Sequence, residues 1–432
     1  MRLLFDPARN LISDVIWSGL QSAGLGDLGN IRKEDFYTLI GEPPQSNMGD
    51  YAFGCFTLAK VLRKSPADVA KILQGKIIPT ADILKVEPVG PYLNFTMTPT
   101  YLGKTYADGA VNGLYSKTSY LTNPPRTMVE HSQPNTHKEL HVGHLRNSCL
   151  GDAIVRMMKF SGIPVITSTF PGDVGTHVAK CLWYLKNHNT EPIPDRDRGE
   201  WIGRMYSLGH LLLEEQEKTE HYERNKAQLT EILKQLEHQK GEFFDLWKET
   251  RVWSIDLMKE VYRWLGVDFD IWYFESDVDA ASLKYARELY AEGKLIESQG
   301  AIGVDLSAEN LGFCMLIKSD GTGLYATKDV ELARRKFTDY KIDHSIYVVD
   351  TRQALHFKQV FKVLEKIGFE QAKDCFHLQY NFVELPDGVI SSRRGNIVPV
   401  VDLIRQMENK IKTDYLQRYA NEWSQDEINL CA

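Results

Sequence analysis

The stretch from residue 127 to 170 constrains the fold most, because it alternates a strand, a polar loop, a helix and a second strand. TMVEH (127–131) and PVITSTF (164–170) are short runs typical of buried strands. Between them, LRNSCLGDAIVRMMKFSG (145–162) has apolar residues at helical spacing and ends in a glycine typical of a helix C-cap. Strand, helix and strand in this order predict a doubly wound α/β fold with a parallel sheet.

The same pattern returns later in the chain, with HSIYVVD (344–350) as a strand and HFKQVFKVLEKIGF (356–369) as a helix. The intervening residues from about 186 to 250 are rich in charge and have helical periodicity, which is typical of solvated helices. We therefore predict a parallel-sheet domain over 121–385 that contains a helical insertion. We assign no chemistry to the insertion. Residues 386–432 are expected to form a basic loop and a helical stub.

Residues 1–120 are expected to form a separate, small α+β domain. A helical stretch, FTLAKVLRKSPADVAKIL (56–73), precedes two strand-like runs, ILKVEPV (83–89) and YLNFTM (92–97). The turn-rich segment TNPPRT (122–127) marks the boundary with the next domain.

Composition excludes several classes of protein. No apolar run reaches about 18 residues, so a membrane span is not expected. Asp6 and Asp14 interrupt the N-terminal apolar residues, which favours a helix over a signal peptide. We therefore expect a cytoplasmic location. The six cysteines are scattered without a CxxC pair, which argues against a structural zinc site and a disulfide framework. The net charge of -7 leaves nucleic-acid binding open, because a local basic face can exist under a net acidic total.

The HVGH sequence holds the first candidate site residues. His141 and His144 precede the predicted helix, and Gly143 between them allows a close backbone approach. A helix N-terminus favours phosphate, and two imidazoles there can donate hydrogen bonds to charge that develops at a reacting phosphorus. Alone, HxGH is not specific, because two polar histidines on a loop are more often structural.

A second candidate is SSRRGN (391–396), which combines hydroxyls, two adjacent guanidiniums and a glycine suited to binding pyrophosphate. Alone, this motif is more often a solvated turn. Together, in this order and about 250 residues apart, the two motifs resemble the HIGH and KMSKS signatures of class I aminoacyl-tRNA synthetases.

The sequences around the motifs are similar to those of one member of that class, the arginyl-tRNA synthetase family. The similar segments are EHSQPN with HVGHLRN (130–147), LYATKD (324–329), YVVDTRQALHFKQVF (347–361), LGVDFDIWYFES (265–276), MGDYAFGCFTLAK (48–60) and VGPYLNF (89–95). The resemblance runs through the whole chain. It implies ATP-dependent formation of arginyl-adenylate from L-arginine and transfer of arginine to the 2′-OH of tRNA(Arg), with Mg²⁺ neutralising the pyrophosphate.

The resemblance also implies that the N-terminal domain contacts the tRNA elbow, and we expect the protein to be monomeric. It further implies roles for particular residues. The catalytic candidates are His141, His144, Lys138, Ser391 and Arg393, and the ATP-binding candidates are Gly143, His356 and Ser392. No residue is assigned as a metal ligand.

The arginine pocket also follows from chemistry. A guanidinium has a planar fork of donors that a carboxylate matches in bidentate fashion. Asp329 lies one helical turn beyond Tyr325, so a carboxylate and a phenol share one face. By resemblance, the site comprises Glu130 and Asn135 at the α-amino and carboxylate end, and Tyr325, Asp329 and Gln353 around the side chain. Glu275 is a further candidate.

Two positions depart from the family pattern. Val389 stands where a KMSKS loop has its first lysine, and Lys138 stands where some arginyl enzymes carry a compensating lysine. Gly172 stands where the family's N-D-x-G segment has asparagine.

In the family, a helical anticodon-binding domain follows the stretch that this chain reaches at residue 432, so we expect that domain to be lacking. Two alternatives remain open: a paralogue that arginylates or adenylylates another acceptor, and a non-catalytic arginine-binding or RNA-binding protein. HVGH, Asp329 and Gln353 argue against the second alternative but leave the first.

Overall fold

The computed structural model describes residues 6–113, 123–383 and 398–432, together with the backbone of 384–385 and 388–389. Within these ranges no helix is both long enough and apolar enough to cross a membrane. The chain divides into two compact units, which are described separately.

The first unit comprises residues 1–124 and 159–163. Its elements are α1 (Pro7–Ser22), α2 (Phe36–Leu39), β1 (Ile40–Gly41), β2 (Tyr51–Gly54), α3 (Phe56–Leu62), α4 (Pro66–Gln74), β3 (Ile83–Val89), β4 (Tyr92–Met97) and α5 (Pro99–Val111). The strands form an antiparallel sheet in the order β1-β2-β4-β3. Buried residues of α1, α4 and this sheet, such as Ile16, Leu73 and Phe95, form one core. The α+β fold expected for this part of the chain is confirmed.

The bounds of β3 and β4 match the prediction, but the single helical stretch predicted over 56–73 is wrong. Arg63 has φ of +51°, which ends α3 in a left-handed conformation. Ser65 then caps a new helix by accepting a hydrogen bond from the Asp68 backbone N–H, with Pro66 at the first helical position. The chain therefore turns between two short helices.

The second unit contains residues 125–158 and 164–432, so the last two residues of the helix Val142–Phe160 belong to the first unit. Its elements are β5 (Thr127–Glu130), α6 (Val142–Phe160), β6 (Val165–Thr169), α7 (Thr176–Asn187), α8 (Arg198–Glu215), α9 (Tyr222–Glu237), α10 (Glu242–Leu265), β7 (Ile271–Trp272), α11 (Glu275–Ala291), β8 (Ile296–Ser298), β9 (Ala301–Leu306), β10 (Gly312–Ile317), α12 (Tyr325–Tyr340), β11 (His344–Asp350), α13 (Ala354–Lys366), β12 (Cys375–Tyr380), β13 (Glu384–Leu385), β14 (Gly388–Val389), α14 (Val400–Ile411) and α15 (Gln425–Cys431).

A five-stranded parallel sheet organises this unit, in the order β12-β11-β5-β6-β7. Helices cover both faces. Val129 packs with Val155 of α6, whereas the adjacent Met128 packs with Val278 of α11 and Leu332 of α12. The predicted doubly wound sheet is confirmed. In this order, β6 and β7 lie on one side of β5, and β11 and β12 lie on the other side. The strand order therefore reverses between β5 and β11, and their carboxyl ends form the topological switch point, where such folds bind ligands.

The helical insertion is confirmed but is wider than predicted. Helices α7 to α10 cover Thr176–Leu265, whereas charge patterning indicated about 186–250. The helices at both ends of the insertion are amphipathic and bury apolar residues such as Trp183 and Met258. The high density of charged residues therefore indicated only the solvated middle of the insertion. A three-stranded antiparallel sheet, β10-β9-β8, follows the insertion, and the expected helices α14 and α15 are present near residue 432.

Gly151 allows α6 to pack closely against the residue that follows β5. A Cβ at position 151 would lie 2.2 Å from Cγ of His131, which is only 1% exposed and cannot move into solvent. We expect Gly151→Ala to lower the free energy of unfolding by about 1–3 kcal/mol through overpacking. Thermal and urea denaturation measure the change.

Gly103 provides the control, because it also lies inside a helix but a Cβ there meets no atom within 4 Å. Gly103→Ala should leave stability unchanged or raise it by about 0.5–1 kcal/mol. Equal effects of the two substitutions would contradict the packing account.

Candidate active site

Asn147 of α6 joins the ends of three parallel strands. Its side-chain oxygen accepts a hydrogen bond from the Ser132 backbone N–H at 2.7 Å, just beyond β5. Its amide nitrogen donates to the carbonyl of Val348 in β11 at 3.0 Å and to Oη of Tyr380 in β12 at 2.8 Å. Asn147 was not predicted. The sequence could have indicated it, because Asn147 places an amide on the same face of α6 as Ser148 and Gly151, both of which are buried.

Helix α10 of the insertion supports the loop between β5 and α6. Oγ of Ser254 accepts a hydrogen bond from the His137 backbone N–H at 2.9 Å, and Oγ1 of Thr250 lies 2.8 Å from Nε2 of His137. Oη of Tyr262 lies 2.8 Å from Oγ of Ser132. Burial lowers the pKa of His137 to about 3, so this imidazole is neutral at pH 7. No role was predicted for the insertion, yet its last helix holds the loop in place.

The two histidines of HVGH stack at the start of α6. Their ring centroids are 3.9 Å apart, with 17° between the planes. The helix begins at Val142, so His144 lies in its first turn; the prediction that both histidines precede the helix is wrong for His144. Nδ1 of His144 accepts a hydrogen bond from the His141 N–H, and Nδ1 of His141 accepts one from the Gly143 N–H, both at 3.1 Å. Each neutral ring therefore carries its proton on Nε2 and can donate from there.

Both rings are neutral at pH 7. Burial lowers the pKa of His141 to about 4, and the charges of Arg352 and Lys138 act in the same direction. Burial also lowers the pKa of His144 well below its usual value, assisted by His141 and Lys138. A side chain at position 143 would displace the ring of His141, because a Cβ there would lie 2.9 Å from its Cε1.

The predicted basic loop lies outside the described residues, including Ser391, Ser392 and Arg393, as does the side chain of Val389. The segment that follows the loop is described. Val142 donates a backbone hydrogen bond to Val398 at 3.1 Å, and Val400 donates one to Leu140 at 2.8 Å. The first residues after the loop are thus paired with the HVGH backbone.

Lys138 lies close to the histidine pair. Its Nζ is 5.0 Å from the ring centroid of Tyr206 in α8. Burial is the largest cause that lowers the pKa of His141, His144 and His177, and the positive charge of Lys138 contributes in the same direction. The structure thus brings together Lys138 and the two predicted histidines.

Asp329 and His356 form a hydrogen-bonded pair, with Oδ2 of Asp329 2.5 Å from Nε2 of His356. Burial alone would lower the pKa of His356, but the hydrogen bond and charge of Asp329 outweigh it and raise that pKa. Tyr325 begins α12 one turn before Asp329 and is largely exposed, and Gln353 is exposed just before α13. Asp329, predicted for arginine, and His356, predicted for ATP, are therefore in direct contact.

Glu275 and Asn135 lie beside Gly172. A Cβ at position 172 would lie 2.2 Å from Oδ1 of Asn135 and 3.2 Å from Oε1 of Glu275. Burial raises the pKa of Glu275 to about 6, opposed by Lys328, whose Nζ is 3.1 Å from Oε2. Lys328 also pairs with Asp279 at 3.3 Å. Glycine at 172, a departure from the family pattern, makes room for the Asn135 amide.

Glu130 is buried at the end of β5. Its Oε2 lies 2.5 Å from Nζ of the fully buried Lys336, and its Oε1 accepts a hydrogen bond from Gln133 at 3.1 Å. Nζ of Lys336 also lies 3.8 Å from the ring centroid of Tyr347. Both carboxylate oxygens thus have protein partners, and contact between Glu130 and arginine stays a prediction. In the described part of the chain, no group of three or more His, Cys, Asp or Glu residues is placed to hold a metal ion.

Two family models match the chain. Residues 111–428 match the catalytic domain of class I tRNA synthetases (R), and residues 11–97 match the arginyl-tRNA synthetase N-terminal domain. The chain is 54% identical to an arginine–tRNA ligase of Bdellovibrio bacteriovorus over 98% of its own length and 72% of that protein. It is 35% identical to the arginine–tRNA ligase of Treponema denticola, over 86% of this chain and 64% of that protein.

The fold is also similar to a solved structure, the arginyl-tRNA synthetase of Thermus thermophilus. The TM-score is 0.72 at 25% sequence identity, over 98% of this chain and 73% of that one. The chain therefore spans about two thirds to three quarters of the length of these relatives.

His131 is another buried histidine, and its burial has a measurable consequence for stability. Neither of its ring nitrogens has a hydrogen-bond partner among the described residues, and its ring centroid is 4.6 Å from that of Phe269. Burial lowers its pKa to about 4. Because the unfolded chain binds this proton near pH 6.5 and the folded chain only near pH 4, stability is lost as the pH falls between these values.

We expect His131→Phe to keep the packing and to abolish this contribution. The free energy of unfolding would then fall with decreasing pH less steeply, by up to about 1.4 kcal/mol per pH unit. Urea denaturation between pH 7 and pH 4 measures the slope. An unchanged slope would show that His131 is protonated equally in both states.

Proposed function

The chain belongs to the arginyl-tRNA synthetase family, and from this premise we propose that the site at the ends of β5 and β11 activates L-arginine with ATP and transfers it to tRNA(Arg). The observation that carries the proposal is the neutral, stacked pair of His141 and His144. Both have Nδ1 occupied, so both can donate from Nε2.

In the first step, a carboxylate oxygen of arginine attacks the α-phosphorus of ATP. The new bond from that oxygen to phosphorus forms as the bond from the α-phosphorus to the bridging oxygen breaks, and pyrophosphate leaves with the electron pair. Nε2–H of His141 and of His144 donates to phosphate oxygens as their charge changes. Because burial and backbone hydrogen bonds fix both rings before ATP binds, little reorganisation is needed in the transition state.

We assign the pyrophosphate to Lys138 and the basic loop. Lys138 lies close enough to affect the titration of both histidines, and the residues after the loop pair with the HVGH backbone. Ser391, Ser392 and Arg393 would approach the phosphates from the loop. Mg²⁺ would enter with ATP, since it commonly binds substrate phosphates while keeping several waters.

Arginine recognition centres on Asp329. A carboxylate has about four lone-pair sites, so Asp329 can keep its hydrogen bond to His356 while it accepts the two donors of a guanidinium. Tyr325 and Gln353 would contact the same side chain. Asn135 and Glu130, together with Glu275, would surround the remainder of the amino acid.

In the second step, the terminal 2′-OH of tRNA attacks the carbonyl carbon of the adenylate and loses its proton as the ester forms, and AMP leaves with the electron pair of the cleaved bond. Contact of the N-terminal domain with the tRNA elbow, the monomeric state and the cytoplasmic location complete this proposal.

Arginine-dependent exchange of pyrophosphate into ATP, followed by charging of tRNA(Arg), tests the activity. We expect His141→Ala and His144→Ala each to lower the adenylation rate by about 10²-fold, with little change in the KM for arginine. The exposed His221 supplies the control, and His221→Ala should be active. A histidine variant with normal turnover and weak arginine binding would show that the assigned role is wrong.

Asp329→Asn tests specificity. Asn keeps the shape but lacks the charge and the second acceptor oxygen, so we expect the KM for arginine to rise by about 10–100-fold and that for ATP to change little. The exposed Asp339 lies on the same helix, and Asp339→Asn should leave both constants unchanged. Equal rises in both constants for Asp329→Asn would indicate a role in folding.

A further inference from the structure

Helix α8 of the insertion packs directly against the segment that carries Lys138. A Cβ at Gly203 would lie 2.8 Å from Cγ and 2.9 Å from the backbone nitrogen of Glu139. One turn further along α8, the ring centroid of Tyr206 lies 5.0 Å from Nζ of Lys138. Residues three apart lie on the same side of a helix, so α8 contacts both the backbone at 139 and the ammonium of Lys138.

The ring of Tyr206 is fixed. It is buried in a core with Cys181, Ile202 and Met205. It also stacks on His210, with the planes 5° apart. Its position is therefore set by folding and does not depend on a ligand.

Lys138, in contrast, has a flexible four-carbon stem, so its ammonium can occupy many positions unless another group restrains it. An ammonium within about 6 Å of an aromatic centroid is attracted to the electron-rich face of the ring. The ring face attracts the positive charge without neutralising it, so the ammonium of Lys138 can still attract a phosphate.

We propose that Tyr206 is a positioning residue, whose ring holds the ammonium of Lys138 beside His141 and His144, where it meets the departing pyrophosphate. The inference rests on the proposed function and extends it. It gives the insertion a part in adenylation, with Lys138 contacting the substrate and Tyr206 acting only through Lys138.

A double-mutant cycle in pyrophosphate exchange tests the inference, with Tyr206→Leu, Lys138→Ala and the double variant. Tyr206→Leu should lower the exchange rate by about 3–10-fold, within the range of a partly desolvated cation–π contact. It should raise the KM for pyrophosphate and leave the KM for arginine unchanged. Tyr206→Phe keeps the ring and should remain near wild type. In the Lys138→Ala background, Tyr206→Leu should cause no further loss.

Met205→Ala is the matched control, because Met205 lies on the same helix and in the same core. This variant lowers the melting temperature, and any loss of activity should be the same in the wild-type and Lys138→Ala backgrounds. If Tyr206→Leu does not fold, phenylalanine with increasing fluorination at position 206 replaces it. Fluorine keeps the ring shape and withdraws electrons from its face, so the exchange rate should fall with each added fluorine.

The outcomes separate the two levels of the proposal. Absence of arginine-dependent exchange in the unmodified protein overturns the proposed function. Normal exchange in Lys138→Ala overturns the role of Lys138 and the inference that depends on it. Two results overturn the inference alone. In the first, Lys138→Ala is slow, but Tyr206→Leu causes the same further loss in that background as in wild type. In the second, the exchange rate does not depend on fluorination at position 206.

Discussion

The buried loop between β5 and α6 is the constraint on which the rest of the site depends. Ser132, Thr136 and His137 are almost entirely buried, and a buried polar group without a partner costs about 1–3 kcal/mol. Ser132 bonds Asn147 and Ser148 of α6 and Tyr262 of α10. His137 bonds Ser254 and Thr250 of α10, and the Thr136 backbone N–H donates to the Gly172 carbonyl. The last helix of the insertion therefore holds the loop that leads to the histidine motif.

Charge is distributed unevenly across the site. Around the histidines, the imidazoles are neutral and the charged neighbours that affect them are the cations Lys138 and Arg352, an environment suited to phosphate. At the ends of β5 and β11, three carboxylates each have a basic partner: Glu130 with Lys336, Glu275 with Lys328, and Asp329 with His356. Of these basic partners, only histidine can lose its charge near pH 7. In the proposed function, His356 can therefore become neutral when a guanidinium arrives, while Asp329 keeps its hydrogen bond to His356.

The sequence predicted features that depend on local patterns. Strands β3, β4 and β11 have the predicted bounds, because each is a short run bounded by turn residues. Among the residues that the motifs identified, His141 and His144 stack on each other and Asp329 contacts His356, whereas their roles toward substrates stay predictions. Long-range contacts were missed: Asn147 bonds residues 201 and 233 positions away, and only the fold shows that Gly172 leaves room for Asn135. Periodicity also failed at Arg63 and at His144, where a single residue decides where a helix ends or begins.

In the proposed function, Lys138 supplies the positive charge that Val389 cannot. A lysine at position 389 would belong to the hairpin that leads into the basic loop, whereas Lys138 lies on a segment packed against α8 and next to residues paired with 398–400. A side chain restrained by the fold loses less conformational entropy when a ligand binds. Electrostatic stabilisation is also most effective when the charge needs no reorganisation during the reaction. Valine at position 389 is therefore compatible with the proposed function, provided that the packing around Lys138 is kept.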